Sequence, residues 1–356
     1  MSSFPPRFMD GHDERIDTDA AVRQTDSDAA IARFSAVQKQ YLYDPFIKHF
    51  LPRGAQHQSA RPPLINIGTY VRSQAIDYLV NQWITFSAQE GKKCQIVSLG
   101  AGSDTRFWRL ATGPRKETLA KYIEIDFAEN TTKKAMAIRK SRDLSAALGK
   151  PEDVTLVSGG TGLSSPVYHL LAADLRSSPT SSLAPLLQAK DAISLPLLDP
   201  SLPTLLLFEC VLVYMTPAQS SGLIQWFVDY FSQSGSHTTL GGIVYEMFGL
   251  SDPFGKVMLA NLKTRHVELP GAEPYPTFES LRNRFLQHGF EESNATTLRD
   301  YRRSGIESSE RQRISQLELL DEMEELELVL AHYAITWGWK SFGDGEQKSR
   351  WSNWRF

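Results

Sequence analysis

Five short apolar runs alternate with helical patterns through the middle of the chain, and this alternation limits the fold more than any other feature. The runs are QIVSLG (95–100), KYIEID (121–126), YHLLAAD (168–174), PTLLLFECVLVYM (203–215) and GGIVYEMF (241–248). Strands of this length with helices between them are typical of a parallel, doubly wound sheet that is covered on both faces. The sequence therefore predicts an α/β fold.

The chain has 356 residues, which is enough for one large domain. Residues 1–27 are rich in charge, serine and proline, so we predict a disordered leader there. Residues 28–356 are predicted to form a single domain. Within it we expect a helical extension at 28–90, the core sheet at 91–250, and further helices with a sheet-completing aromatic segment at 251–356.

Two segments of the second half show weaker patterns. The Ser/Pro-rich stretch at 177–202 is predicted to be a helix with loops inserted before the fourth strand, and we assign it no role. Near the C-terminus, an apolar stripe predicts an amphipathic helix with glutamates on its solvated face. The stripe consists of Leu319, Met323, Leu326 and Leu330.

Composition excludes several classes of function. A formal net charge of -3 argues against nucleic acid as the main partner. The two cysteines allow no disulfide framework beyond one bridge. No apolar stretch approaches the ~20 residues of a membrane span, and the N-terminus lacks an apolar signal-peptide centre. We therefore predict a cytoplasmic protein that binds no membrane.

The lack of an obvious association stripe favours a monomer. The eight histidines show no metal-ligand spacing, so no metal site is predicted.

The first strand ends at Gly100, and a second glycine, Gly102, follows one residue later. In a doubly wound sheet, ligands bind at the carboxyl ends of strands, where glycine lets a ligand approach the backbone. The third glycine of a dinucleotide fingerprint is absent, since Thr105 occupies its place, which disfavours a pyrophosphate. The turn is thus predicted to hold a nucleotide-type ligand without phosphates, or else to be a plain strand-to-helix connection.

Acidic residues end three of the other strands. Asp126 closes the second strand, where a carboxylate can accept hydrogen bonds from a ribose or can simply cap the next helix. Asp174 ends the third strand, and Glu209 lies inside the fourth apolar run. A charged residue in so apolar a run needs a partner. It is either half of an internal salt bridge or one of several polar groups that converge on a ligand.

A ribose-binding acid without a phosphate grip points to S-adenosylmethionine. This molecule carries an adenosine, a sulfonium and an amino acid end, and the carboxylate of that end needs a cation. Arg72 and Arg33 are the candidates, because an arginine can bind a carboxylate with two parallel hydrogen bonds. For either residue alone, a surface arginine is the alternative.

The motifs taken together resemble the leucine carboxyl methyltransferase family over about residues 25–339. The matching stretches are GTYVRS, VSLGAGSDTRFWRL, YIEIDF, AADLR, PTLLLFECVLVYMTPAQS, DPFG and LELLDEMEEL. The resemblance implies a class I S-adenosylmethionine-dependent methyltransferase with a Rossmann-like doubly wound sheet. It also implies an N-terminal helical extension and helical insertions that form a lid, at about 25–75 and between Asp252 and Phe290. The implied reaction is methylation of the C-terminal leucine carboxylate of the type 2A protein phosphatase catalytic subunit.

The resemblance also implies a role for each site residue. Arg72 would hold the methionine carboxylate, with Arg33 nearby at a position where the family has lysine. Gly100 would lie under the ligand and Asp126 would bind the ribose. The remaining implied contacts are Asp174 and Leu175 around the adenine, and Glu209 at the ammonium group.

A terminal carboxylate is already ionised at neutral pH, so the implied reaction needs alignment and no general base. Arg72 could also hold the acceptor carboxylate, while Tyr214 and Tyr245 are candidates for shaping the leucine pocket, or pack without touching a ligand. The alternatives are a methyltransferase of the same fold that acts on a small molecule or a tRNA base, and a binding module without catalysis.

Overall fold

The computed structural model describes residues 18–57, 59–188, 195–321, 323–343 and 350–356. The helices of these residues, in chain order, are α1 (Thr18–Gln38), α2 (Pro63–Gln89), α3 (Arg106–Ala111), α4 (Ala128–Lys140), α5 (Arg142–Ser145), α6 (Pro179–Ser182), α7 (Ala184–Leu187), α8 (Pro217–Gln233), α9 (Pro253–Thr264), α10 (Phe278–Leu286), α11 (Leu298–Ser304), α12 (Ser308–Ser315) and α13 (Met323–Ala331). The strands are β1 (Cys94–Leu99), β2 (Leu119–Asp126), β3 (Thr155–Val157), β4 (Gly162–Ser164), β5 (Tyr168–Ala172), β6 (Thr204–Glu209), β7 (Thr239–Met247), β8 (Glu292–Thr297) and β9 (Tyr333–Ser341).

All nine strands form one sheet in the order β3-β4-β5-β2-β1-β6-β7-β9-β8. The five central strands, β5 to β7 in that order, are parallel to one another, as predicted. The outer strands pair antiparallel, so the sheet is mixed. Counted along the chain, the five parallel strands lie in the order 3-2-1-4-5, which is the order of a Rossmann-like doubly wound sheet. The predicted fold class is confirmed.

Apolar side chains alternate between the two faces of the sheet and build a separate core on each. On β1, Ile96 belongs to the core under α2, whereas Val97 belongs to the core under α8. The α2 core includes Trp83, whose indole packs against the C-terminal Trp351 with ring centroids 4.2 Å apart. Helices therefore cover both faces, as a doubly wound sheet requires.

The predicted boundary of the leader at residue 27 is wrong. Helix α1 begins at Thr18, ten residues earlier than expected, and residues 1–17 lie outside the described part of the chain. Residues 18–27 are helical in spite of their polar composition, because distant residues bind their acidic side chains. Asp19 pairs with Arg176, and Asp26 accepts a hydrogen bond from Ser103. Tertiary contacts override the local composition here.

The C-terminal pattern is only partly correct. Helix α13 starts at Met323, so Leu319 lies before it and is 89% exposed, whereas Leu326 and Leu330 are buried as expected. The stretch at 177–202 contains the short helices α6 and α7, and its residues 189–194 lie outside the described part.

None of the helices in the described ranges combines the length and the apolar character that crossing a membrane requires. The cytoplasmic location and the monomeric state stay predictions.

Candidate functional site

A cavity of about 660 Å³ lies at the carboxyl edge of the five parallel strands. Its size is within the range of small-molecule sites. Its walls include every residue for which the sequence predicts a role: Arg33, Arg72, Gly100, Asp126, Asp174, Leu175, Glu209, Tyr214 and Tyr245. We call this cavity the edge pocket.

Strand direction explains why these residues meet. Parallel strands present their carboxyl ends at one edge, so Gly100 after β1, Asp126 at the end of β2 and Glu209 at the end of β6 lie side by side. Asp174 follows β5 by two residues at the same edge. Helices α1 and α2 pass over this edge and contribute Arg33 and Arg72.

Both glycines of the turn after β1 have a positive φ, +67° at Gly100 and +44° at Gly102. A Cβ on Gly100 would lie 2.4 Å from Cγ2 of Val211, and one on Gly102 would lie 2.3 Å from Oδ1 of Asp26. The turn therefore needs glycine because neighbouring protein atoms approach it, although Gly100 also lines the edge pocket.

Asp126 is buried and accepts three hydrogen bonds. Its Oδ2 accepts from the Gly102 backbone N at 2.7 Å, while Oδ1 accepts from the backbone N of Phe127 at 2.7 Å and from Nδ2 of Asn130 at 2.9 Å. Burial raises the pKa of the Asp126 carboxyl, and these bonds oppose the rise. The carboxylate is thus fixed by the turn after β1 and by Phe127 and Asn130 at the start of α4. Its Oδ2 keeps an acceptor position for a ligand hydroxyl.

The internal salt bridge considered for Glu209 is present, and its partner is Arg72. Nε of Arg72 lies 2.5 Å from Oε1 of Glu209, and the guanidinium lies 4.5 Å from the centre of the Tyr245 ring. Burial opposes the charge of Arg72, but Glu209 together with Tyr245 and Cys210 raises the pKa of the guanidinium. The sequence analysis assigned Arg72 to the carboxylate of the ligand's amino acid end and Glu209 to its ammonium group. In the structure these two residues are bonded to each other.

Arg106 is a wall residue that the sequence reasoning missed. Its side chain is 2% exposed, with Nε 2.8 Å from Oδ1 of Asp77, Nη1 bonded to Asp104, and Nη2 3.4 Å from Oε2 of Glu209. These acids hold its pKa well above the usual value despite burial. Arg106 lies inside the motif SDTRFWRL, but nothing in the local pattern says which way it points.

Arg33 is held on the pocket wall by two neighbours. Its Nε donates to Oδ2 of Asp44 at 2.5 Å, and its Nη1 donates to Oγ of Ser73 at 2.9 Å. Asp44 is itself buried. Arg33 is therefore anchored at the edge pocket.

The predicted adenine residues lie beside a second ion pair. Arg176 donates from Nε to Oδ1 of Asp174 at 2.9 Å and from Nη2 to Oδ2 at 2.8 Å. The same guanidinium bonds Asp19 of α1 at 2.6 and 2.8 Å and lies 5.2 Å from the centre of the Phe127 ring. The hydrogen bond from Arg176 lowers the pKa of Asp174. Leu175 is buried next to this bridge.

Three tyrosines line the far side of the edge pocket. Tyr245 and Tyr333 stack with ring centroids 5.5 Å apart, since the antiparallel pairing of β7 with β9 brings both to the same edge. Tyr214 follows β6 and lines the same wall. Burial raises the pKa of Tyr214 and of Tyr245, so both phenols stay protonated at neutral pH and can donate a hydrogen bond.

Helices α1 and α9 both line the edge pocket, and α9 lies in one of the two segments for which the resemblance implies a lid. Met258 and Leu262 of α9 line the cavity, and Arg265, just after α9, pairs with Asp28 of α1. Helix α10, which lies in the same implied lid segment, instead buries Phe285 in the core under α8.

Within the described ranges, no group of three or more His, Cys, Asp or Glu side chains is arranged to hold a metal ion. The predicted lack of a metal stays a prediction.

Comparisons of the sequence with known families and proteins all identify the same family. The model of the leucine carboxyl methyltransferase family matches residues 21–228. The leucine carboxyl methyltransferase 1 of Cryptococcus neoformans (strain JEC21) is 45% identical over 347 residues, which cover 91% of this chain and 94% of that protein. The proteins of the same name from Aspergillus fumigatus and Rattus norvegicus are 39% and 35% identical, over 95% and 90% of this chain and 87% and 90% of theirs.

Similarity to solved structures is more remote. A methyltransferase described as putative, from Thermobifida fusca, is 15% identical with a TM-score of 0.44, over 78% of this chain and 82% of that one. A likeness this distant says nothing about the site.

Proposed function

The chain belongs to the leucine carboxyl methyltransferase family and is a methyltransferase, and on that premise we propose that it esterifies the C-terminal leucine carboxylate of a type 2A protein phosphatase catalytic subunit. The methyl donor is proposed to be S-adenosylmethionine, bound in the edge pocket. The phosphatase tail enters through the mouth beside α1 and α9.

The observation that carries this proposal is the Arg72–Glu209 pair in the edge pocket. The pair presents one cation and one anion within 2.5 Å of each other. The amino acid end of S-adenosylmethionine carries the complementary charges, a carboxylate and an ammonium. A charge-neutral exchange of partners leaves no buried charge unpaired, which is the costly alternative.

The other walls suit the adenosine part. Asp126 has an acceptor position for a ribose hydroxyl, and Leu175 offers an apolar surface beside Asp174 for the adenine. The adenine amino group can donate to Oδ2 of Asp174, which keeps a lone pair beside its bond from Arg176.

Bound S-adenosylmethionine would supply an electrophilic methyl group on its sulfonium for in-line displacement by the leucine carboxylate. The chain's own residues then have to align and desolvate the acceptor, since a terminal carboxyl with a pKa of about 3.3–3.7 is already ionised. Alignment can contribute about 7–11 kcal/mol to lowering a barrier. No general base is needed.

Arg72, Tyr214 and Tyr245 are proposed to hold the acceptor. A protonated phenol binds a carboxylate oxygen without neutralising it, so the oxygen remains nucleophilic. Tyr245 also supports Arg72 through its ring. Met258 and Leu262 offer apolar contact for the leucine side chain.

The test is transfer of a radiolabelled methyl group from S-adenosylmethionine to the phosphatase catalytic subunit, followed by alkali treatment. A C-terminal methyl ester releases its label in base, whereas a methylated nitrogen keeps it. The matched control is a phosphatase whose tail ends in an amide, which should take up no label. Label on the amidated control, or label that survives alkali, contradicts the proposal.

The same labelled donor tests the alternative acceptors, a small molecule or a tRNA base. Label that appears in one of those fractions and not in the phosphatase would contradict the phosphatase as substrate and would identify that acceptor class instead. A shortened tail peptide tests whether the folded phosphatase is needed beyond its terminus.

A further inference from the structure

We propose that Arg106 is a positioning residue for the methyl donor: it keeps the Glu209 carboxylate aimed into the edge pocket while Arg72 changes partners. The inference rests on the proposed function, because it assigns the ammonium group of the donor to Glu209. It concerns a residue for which neither the motif pattern nor the family resemblance gives a role.

Glu209 is held from two sides, one oxygen to each guanidinium. Oε1 lies 2.5 Å from Nε of Arg72, and Oε2 lies 3.4 Å from Nη2 of Arg106. The first contact is short and the second is long. If one of the two cations moves away, the other can still hold the Glu209 carboxylate in its position on the pocket wall.

The two arginines differ in how firmly they are fixed. The side chain of Arg72 is 26% exposed and rests on the ring of Tyr245, whereas that of Arg106 is 2% exposed. Arg106 is also bonded to Asp77 of α2 and to Asp104 of the turn before α3. Arg106 is therefore the fixed partner, and Arg72 is the one free to rotate toward a ligand carboxylate.

Exchange of Arg72 without Arg106 would leave Glu209 with the ligand alone. An anion at the pocket wall that loses its cation is costly and tends to turn toward water. With Arg106 in place, Glu209 keeps one cation throughout, so it stays oriented toward the ligand when the ammonium group arrives.

Arg109 provides a matched control on the same helix. It lies three residues further along α3 and bonds Asp77, with one contact at 3.2 Å, so it shares the ion network behind the pocket. Its removal disturbs Asp77 much as removal of Arg106 does, while the 3.4 Å contact with Glu209 belongs to Arg106.

Calorimetry with two probes separates positioning from general damage. S-adenosylhomocysteine carries the amino acid end, and 5′-methylthioadenosine carries the adenosine part without it. In Arg106→Met we expect S-adenosylhomocysteine to bind about tenfold more weakly and methylthioadenosine to change by less than about twofold. In Arg109→Met the ratio of the two affinities should stay that of the wild type.

Arg106→Lys covers the possibility that the methionine variant does not fold. A lysine keeps a positive charge near Asp77 and Asp104. Its three donors share one nitrogen, however, whereas Arg106 reaches Asp77, Asp104 and Glu209 with three separate nitrogens. We expect a smaller loss of preference for S-adenosylhomocysteine, and no further loss in a Glu209→Gln background.

The outcomes distinguish this inference from the proposed function. A wild-type protein that prefers S-adenosylhomocysteine, with Arg106 variants that keep the full preference or lose both ligands by the same factor, overturns the role of Arg106 alone. A wild-type protein that binds neither ligand overturns the proposed function and this inference together.

Discussion

Asp26 and Ser103 are joined by two hydrogen bonds that fasten the first helix to the turn after β1. The Ser103 backbone N donates to Oδ1 of Asp26 at 2.6 Å, and the Ser103 hydroxyl donates to Oδ2 at 2.9 Å. The neighbouring Gly102 donates its backbone N to Asp126. One turn thus connects a helix that lines the edge pocket with the carboxylate proposed to bind the ribose.

We predict that Asp26→Ala releases this turn. The Ser103 amide loses a charge-assisted partner, so its hydrogen exchange should accelerate about tenfold or more. Exchange measured by mass spectrometry or NMR checks the prediction. The control is Asp28→Ala, which breaks the α1 contact with Arg265 and leaves the bonds of Ser103 intact. Equal exchange in both variants would contradict the coupling.

Gly102→Ala should destabilise the fold through the same contact. The positive φ costs an alanine about 1–2 kcal/mol, and its Cβ would lie 2.3 Å from Oδ1 of Asp26. Urea denaturation should therefore show a loss of about 2 kcal/mol or more. In an Asp26→Gly background the cost should shrink, because the clash is gone and only the backbone strain remains. An unchanged cost in that background would mean that Asp26 moves aside freely.

Arg72→Ala and Asp126→Ala should each weaken binding of S-adenosylhomocysteine. Each variant removes one proposed charge-assisted contact, worth ~1.5–3 kcal/mol, so the dissociation constant should rise at least about tenfold. Calorimetry at neutral pH measures the effect, with Asp126→Asn as the control that keeps the shape and removes the charge. Wild-type affinity in both alanine variants would refute the assignment of the edge pocket.

The strand ends were predictable because their signal is local. An apolar run that stops at a glycine or an acid marks both a buried strand and its polar end, and parallel pairing then brings Gly100, Asp126 and Glu209 to one edge. The pairing of Arg72 with Glu209 was not predictable, since the two residues are 137 positions apart and either could have faced water.

Two elements that the sequence analysis did not predict, strand β8 and the start of α1, depend on contacts that form only in the folded chain. Strand β8, ESNATT, has no apolar alternation and exists because its backbone pairs with β9. Seven of the first ten residues of α1 are polar. Their helix depends on partners such as Arg176 and Ser103. In both cases the stabilising contact lies far away in the sequence, so a local pattern cannot report it.

His169 of β5 should make the stability of the protein depend on pH. Its side chain is 8% exposed, Nδ1 lies 3.1 Å from Oγ of Ser164, and burial together with the charge of Lys121 lowers its pKa from 6.5 to about 4. A histidine whose folded pKa lies below its unfolded value contributes stability above pH 6.5, and this contribution is lost as the pH falls through 4.

Relative to His169→Gln, the wild type should therefore lose about 3 kcal/mol of unfolding free energy between pH 7.5 and pH 4. Urea denaturation of the wild type and of His169→Gln at five pH values measures this difference. Parallel curves for the two proteins would show that the buried imidazole gains its proton without cost.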